Sequence, residues 1–348
     1  MDESAVRDAL LALRQPDGQP LLLPAEIAQL VIEGDWIGVI LGKDAATPRE
    51  LLARVHDHLV AGFPGARVEV RTGGHVYRGG AGWGAGKHLI VVLGGKGGVG
   101  KSTIAVNLAL TLAAMGRSVG ILDADLNGPD IPHMLGVHPS DGHRGMRWKL
   151  MTRELTPPSR RRQPYARYDL EVMSVGFVVP ERNPLAVTGH ALVSSLLKYL
   201  IFEVGWQADV LIVDAPPGTG EELHVMTNQL PVSGALFVTT PQDLAQMDAE
   251  RTVALLRERQ VPVIGVIQNM ASLTCPHCHG EIDMFAHSTR LSDDGVPVLA
   301  RIPFDVRLSA AADRGQPLVL GDPTGPIALE FARVGLHLRR WLAERDPA

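Results

Sequence analysis

The sequence predicts an α/β fold: a mostly parallel sheet flanked by helices, preceded by a small α+β unit. Three observations carry this reading. From His88 onward, apolar runs of strand length alternate with longer segments of helical period, as in parallel strands joined by helical crossovers. The residues with chemistry to offer fall at the carboxyl ends of those runs, where open parallel sheets bind their ligands. Residues 1–72 follow a different order: helix, strand, strand, helix, strand. We therefore expect a small N-terminal domain over 1–72, a linker over 73–87 and the main domain over 88–348.

In the first unit, Ala5–Leu13 reads as a short helix. Glu26–Glu33 and Trp36–Leu41 read as a strand pair turning at Gly34-Asp35. Pro48–Ala61 is amphipathic, with Leu51, Leu52, Val55, Leu59 and Val60 near helical spacing. Arg67–Arg71 alternates as a strand. Gly73, Gly74, Gly79, Gly80, Gly82, Gly84 and Gly86 make the next segment a flexible linker by composition. In the main unit, His88–Leu93, Ser118–Leu122, Asp209–Val213, Ala235–Thr239, Val263–Gln268 and Val296–Ile302 read as buried strands. Helices are expected at Lys101–Met115, Ala191–Phe202, Leu244–Arg259 and Pro326–Glu344. Residues 138–168 are polar and read as a loop or insertion, and the Arg160-Arg161-Arg162 run as solvated surface.

Composition narrows the function. The 348 residues suffice for two domains, and 45% hydrophobic with 20% charged residues is ordinary for a globular core. The net charge, 33 − 38 = −5, does not suggest a nucleic-acid partner. An acidic N-terminus without an apolar stretch, and no run near the roughly 18 residues of a membrane span, point to a cytoplasmic protein without a membrane partner. Two cysteines three positions apart do not resemble a secreted disulfide framework.

Residues 94–102, Gly-Gly-Lys-Gly-Gly-Val-Gly-Lys-Ser, follow the first apolar run of the main unit. From Gly95 they fit the phosphate-loop pattern G-x-x-x-x-G-K-S. Glycines let backbone N–H groups turn inward around phosphate oxygens, and the helix that follows adds its positive end. Gly95, Lys96, Gly97, Gly98, Val99, Gly100, Lys101, Ser102 and Thr103 are thus candidate nucleotide-binding residues. Lys101 would reach the outer phosphates and the Ser102 hydroxyl would hold Mg²⁺. Lys96 is a second lysine the pattern does not require, in a chain with six lysines in all. The main unit therefore reads as a P-loop NTPase.

Asp214-Ala-Pro-Pro-Gly-Thr-Gly closes the run Val210–Val213, where a carboxylate can support Mg²⁺ and a loop can sense the γ-phosphate. Asp123-Ala-Asp125 closes another run. Two carboxylates so placed are costly to bury unpaired, which suits Asp123 to the Mg²⁺ shell and Asp125 to orienting the attacking water. Cys275-Pro-His-Cys278 falls in a segment following the Val263–Gln268 run. The spacing suits one edge of an iron–sulfur cluster shared by two chains, a zinc ion completed by His277, His279 or His287, or a redox dithiol. His88, His190 and His224 lack partners at telling spacings and read as surface or packing residues. The Pro326–Glu344 segment carries Ile327, Phe331, Val334, Leu338, Trp341 and Leu342 on one face and reads as packing against the sheet.

With these residues in view, the chain resembles the Mrp/ApbC family of iron–sulfur cluster carrier ATPases, within the deviant Walker A class. The resemblance rests on Gly94–Ser102 with Lys96, on 123–132, on Met173-Ser-Val-Gly-Phe177, on 214–220, on Asn269-Met270 followed by Cys275-Pro-His-Cys278, and on Ile302-Pro-Phe-Asp305. Residues 1–72 are similar to the domain that heads many bacterial members. The resemblance implies a slow, Mg²⁺-dependent ATPase acting as a homodimer. In it, Lys96 reaches the partner subunit's nucleotide, Asn269 contacts adenine, and Cys275 and Cys278 of both chains hold one 4Fe-4S cluster destined for apo-proteins, with cluster scaffold proteins as further partners. Departures from the family pattern are Asn127 and Asp130, Thr188-Gly-His190, Glu221 and His279, which bear on hydrolysis rate and partners. A positioning or partition ATPase, and an ATPase with structural zinc at the cysteine pair, are the alternative readings.

Overall fold

The computed structural model describes residues 1–15, 17–42, 49–71, 76–77, 87–126, 128–137, 163–178, 190–217, 221–285 and 295–346. The chain divides into two compact units: residues 1–85 with 149–163 and 201–205, and the remainder.

In the small unit, α1 (Glu3–Ala12) starts at Asp2, whose carboxylate accepts from the Ser4 N–H, a helix-capping contact. Strands β1 (Ile27–Glu33) and β2 (Trp36–Leu41) form an antiparallel pair around Gly34, which sits in the left-handed region (φ 58°) that a tight hairpin demands. Helix α2 (Arg49–Gly62) crosses to β3 (Arg67–Arg71), parallel to β2, and β4 (Val76–Tyr77) pairs antiparallel with β3. Val6, Leu10, Ile37, Val39, Leu52, Val55, Leu59, Val68 and Val70 form its core. Val76 and Tyr77 thus belong to a sheet rather than a linker. Apart from them and Lys87, the 73–87 segment lies outside the described residues, as does Arg160-Arg161-Arg162.

The large unit is built on β5 (His88–Gly94), β6 (Val119–Asp123), β7 (Tyr165–Arg167), β8 (Leu170–Ser174), β9 (Val210–Asp214), β10 (Gly234–Thr239), β11 (Val263–Thr274), β12 (Glu281–Asp283) and β13 (Val298–Phe304). The sheet runs β12-β11-β10-β5-β9-β6-β8-β7, with β13 also paired to β11. Its interior is parallel. The outlying β7 and β12 are antiparallel, and Tyr165–Arg167 is a strand where the polar 138–168 stretch suggested a loop. Strand β5 lies between β9 and β10, and all seven of its residues are buried, as a central parallel strand requires.

Helix α3 (Lys101–Ala114) follows β5 and is buried from Ile104 through Leu112, so it is a core helix and not a surface one. Among the described residues the further α-helices are α4 (Ile131–Met134), α5 (His190–Phe202), α6 (Glu221–Gln229), α7 (Asp243–Glu258), α8 (Val306–Asp313), α9 (Leu318–Gly321) and α10 (Pro326–Ala343). Helix α10 buries Ile327, Phe331, Val334, Leu338 and Leu342, the packing face expected from its spacing. Among the described residues no helix is long and apolar enough to cross a membrane.

Candidate nucleotide site and cysteine hairpin

The phosphate loop begins where β5 ends. Gly98 (φ 80°) and Gly100 (φ 84°) take left-handed backbone, which lets the chain curl around the space ahead of α3. A side chain at Gly100 would also collide with the amide of Asn269. Gly95 is needed for a second reason: a Cβ there would come within 2.8 Å of the Asp248 Cβ, so helix α7 approaches the loop only over bare backbone.

Three strand ends converge beside this loop. Asp123 and Asp214 are register partners across β6 and β9, and Val92 of β5 pairs with Asp214. The Ala124 N–H donates to the Asp214 carbonyl and the Ala215 N–H to that of Val92, fixing the strand ends together. Lys101 Nζ lies 2.8 Å from Asp214 Oδ1, with both side chains buried. Burial pushes the Asp214 carboxyl above its ordinary range, against the opposing pull of the Lys101 charge and of hydrogen bonds from Lys101 and Ser102. Among the described residues its second oxygen, Oδ2, is buried without a partner. A buried orphan oxygen beside a serine hydroxyl is a hard-oxygen donor set of the kind Mg²⁺ accepts alongside waters and phosphates, so these residues fit that ion.

Asp123 is fully buried. Oδ1 accepts from the Asp125 N–H at 3.2 Å, and Oδ2 accepts from the Ile131 N–H at 3.2 Å and the Ser174 hydroxyl at 3.1 Å. Burial, then the neighbouring Asp214, raise its pKa well above the usual carboxylate value. Asp123 thus anchors the backbone at Asp125 and Ile131. Asp125 is half-buried, and its Oδ1 accepts from the Gly128 N–H at 3.3 Å. The Gly218-Thr219-Gly220 part of the Asp214 loop, and Asn127, lie outside the described residues.

The lysine beyond the pattern is set apart from this cluster. Lys96 Nζ sits 3.5 Å from Asp248 Oδ2 and its side chain is 42% exposed. Asp248 carries no motif and escaped the sequence reading. It is one acidic residue on an amphipathic helix, and only the fold brings it to the loop. Asn269 is buried, and its Nδ2 donates to the Val99 carbonyl at 2.9 Å, so the residue expected at adenine grips the phosphate loop itself. Thr103 lies in the first turn of α3, its carbonyl accepting from Asn107 Nδ2. His88 is not a surface residue: it is buried and bonded to Asp346 at 2.8 Å, at the end of the strand away from the phosphate loop.

Strand β11 runs six residues past the expected Gln268 and turns into β12, with Leu273 opposite Ile282. Cys275 and Cys278 lie in the turn of this hairpin. The Cys275 N–H donates to the Gly280 carbonyl, the His279 N–H donates to the Cys275 carbonyl, and His279 takes a left-handed φ of 57°. Ser272 Oγ donates to Glu281 Oε1 at 2.6 Å and clasps the base. Both thiols are free; Cys275 is half-buried and Cys278 exposed. The N–H groups of Cys278 and then His277 donate to the Cys275 sulfur and hold its pKa below the ordinary thiol value, which prepares a metal-binding thiolate. Among the described residues no group of three or more His, Cys, Asp or Glu is placed to hold a metal ion, and His287 lies outside them.

Strand order, phosphate loop and paired strand-end carboxylates define a P-loop NTPase of the deviant Walker A class. Residues 85–338 match the family described as ParA, NUBPL iron-transfer P-loop NTPase, and the chain belongs to that family. The iron-sulfur cluster carrier protein of Pyrococcus abyssi is 40% identical over 272 residues, covering 74% of this chain and 88% of its own length. The iron-sulfur cluster transfer protein NUBPL of Mus musculus is 38% identical over 262 residues, covering 74% and 78%. Among solved structures, a nucleotide-binding protein of Archaeoglobus fulgidus in complex with ADP aligns with a TM-score of 0.54 at 28% identity, over 70% of this chain and 91% of that one. The septum site-determining protein MinD of Pyrococcus horikoshii, complexed with Mg-ADP, aligns at 0.57 with 21% identity, over 75% and 100%, a likeness of fold alone.

Proposed function

We propose that the chain is an ATP-dependent iron–sulfur cluster carrier that holds one 4Fe-4S cluster between two copies of itself and passes it to apo-proteins. One observation carries this reading: a preformed hairpin presents two free thiols, one with backbone N–H groups aimed at its sulfur, and the described residues supply no third ligand. A cubane held by cysteines takes about four of them, so two copies complete the set. Cluster scaffold proteins are the donors this role requires.

Hydrolysis in this reading is positioning and charge neutralisation. Gly95 to Ser102 wrap the phosphates with backbone N–H groups, and Lys101 compensates the charge growing on the transferred phosphoryl. Asp125 orients the attacking water. Asp214 and Ser102, with Asp123 behind them, would hold Mg²⁺, which would spread the phosphate charge when bound. Lys96 leaves Asp248 to reach the partner subunit's nucleotide, and Asn269 lines the base side of the site.

The test is anaerobic reconstitution with iron and sulfide, counting iron, sulfide and zinc beside a Cys275→Ala, Cys278→Ala chain. About two irons and two sulfides per chain, none in the double variant and a dimer in solution are expected from four cysteines around one cubane. Zinc without sulfide would replace this reading with a structural-zinc ATPase. ATP-dependent binding to vesicles or DNA, without iron, would favour a positioning ATPase.

A further inference from the structure

One strand carries both halves of the proposed function. Asn269 of β11 grips the phosphate loop through Val99, and six residues later the same strand enters the cysteine turn. Between them β11 is not regular. Asn269 pairs with Ile302 and Leu273 with Phe304, so β11 spends four positions where β13 spends two. A bulge of this kind re-aims the chain that follows it. At its start stands Met270 with φ 54°, a left-handed backbone that a long unbranched side chain rarely adopts. Such a residue persists only where its surroundings hold it. Here they are the phosphate loop on one side, through its neighbour Asn269, and the Ser272–Glu281 clasp on the other.

We infer that Met270 is a positioning residue: the left-handed bulge it begins transmits the state of the phosphate loop along β11 to Cys275 and Cys278. This rests on the carrier reading for its purpose but not for its measurement. When nucleotide reshapes the loop, the Asn269 contact moves or breaks. The bulge then either keeps its kink or straightens, and straightening re-aims the cysteine turn. A regular strand would absorb the same displacement in its ladder. Arrangements of this two-state sort let a small shift at one site be read at another.

The experiment uses the full chain without cluster. The alkylation rate of Cys275 and Cys278 by iodoacetamide is followed by peptide mass, with and without saturating Mg²⁺ and a non-hydrolysable ATP analogue. In the wild type, nucleotide is expected to change the rate at least threefold. Met270→Asn, whose side chain tolerates left-handed backbone, should keep that response. Met270→Val, β-branched and averse to it, should reduce it to less than 1.5-fold at full nucleotide occupancy. Amide exchange over 270–275 gives a second measure that needs no variant, and nucleotide should alter it continuously through the bulge. An equal response in Met270→Val, no response in the wild type, or exchange changes that stop at Asn269 would each overturn the inference. None of these outcomes depends on cluster loading. A chain that fails to take up iron and sulfide would sink the carrier reading while leaving this coupling to be judged on alkylation.

Discussion

The phosphate end of β5, β6 and β9 and the tip of the β11–β12 hairpin are built on opposite terms. At the first, Lys101, Asp123 and Asp214 are buried and locked to one another and to backbone. At the second, Cys278 is exposed, Cys275 half-buried, and the contacts are mostly the hairpin's own turn bonds. Buried charge must be matched in place before the ligand arrives, because unpaired it would unfold the site. Exposed thiols carry no such demand, and in the proposed carrier reading a second copy completes their ligand set. The nucleotide site is thus bound up with the stability of the fold, while the cysteine hairpin is free to change occupancy.

The sharpest test of that contrast is to remove one group at each place. Lys101→Ala strands Asp214 in the core and should cost about 3–5 kcal/mol in urea unfolding. It should also lower ATP hydrolysis by at least about a hundredfold. Cys275→Ser should change stability by less than about 0.5 kcal/mol, as surface substitutions do, while abolishing cluster binding. Similar losses for the two would break the contrast. The sign of the pH effect sharpens it. The Asp214 carboxyl is already raised by burial, and without Lys101 it rises further, so the Lys101→Ala deficit should shrink at pH 5 and grow at pH 8.

Gly100→Ala should come next. Left-handed backbone alone costs a residue with a Cβ about 1–2 kcal/mol, and the contact with Asn269 adds to it. Nucleotide affinity, read by calorimetry, should fall at least tenfold, and because the added methyl displaces Asn269 the alkylation rate of the cysteines should shift with it. Asp123→Asn addresses the slope of stability with pH. A carboxyl whose folded pKa is raised holds its proton longer in the native state, so wild-type stability is fully present below the unfolded value of about 3.9 and declines as pH rises through the folded one. Without nucleotide or Mg²⁺, the substitution should flatten that decline between pH 4 and 7, measured as the urea midpoint; an unchanged slope would refute the assignment. The smallest effect belongs to Asp248→Ala. Its bridge to Lys96 is half-exposed and worth at most about 1 kcal/mol, so stability should barely move. Freed Lys96 should strengthen ATP-dependent dimerisation a few-fold in sedimentation, and weaker dimerisation would show that Asp248 helps rather than restrains it.

Much of this was legible in the sequence because parallel strands buried on both faces read as apolar runs. The phosphate loop likewise announces itself by glycines that no ordinary strand end needs. What escaped had physical reasons. The far half of β11 carries Asn269, Ser272 and Thr274, polar residues that end the apolar run while the ladder to β12 and β13 continues. Tyr165–Arg167 is short and half-exposed, so it carried no period to detect. Asp248 and Ser174 act only through positions that tertiary packing confers. The grip of the Asn269 amide on the loop backbone at Val99 is likewise visible only in the fold, because the two residues stand far apart in sequence.

The stretch from Asn269 to Cys275 has one further property, which concerns length and not chemistry. Sheet side chains alternate faces with a period of two, so deleting or adding a single residue there would turn every following side chain over. Leu273 would lose its place opposite Phe304, and the hairpin that carries the thiols would be turned over with it. Substitutions in this interval can be graded, but changes of length cannot. A family of such chains could vary its loops freely and still be obliged to keep this one distance, as two gears on one shaft must keep theirs.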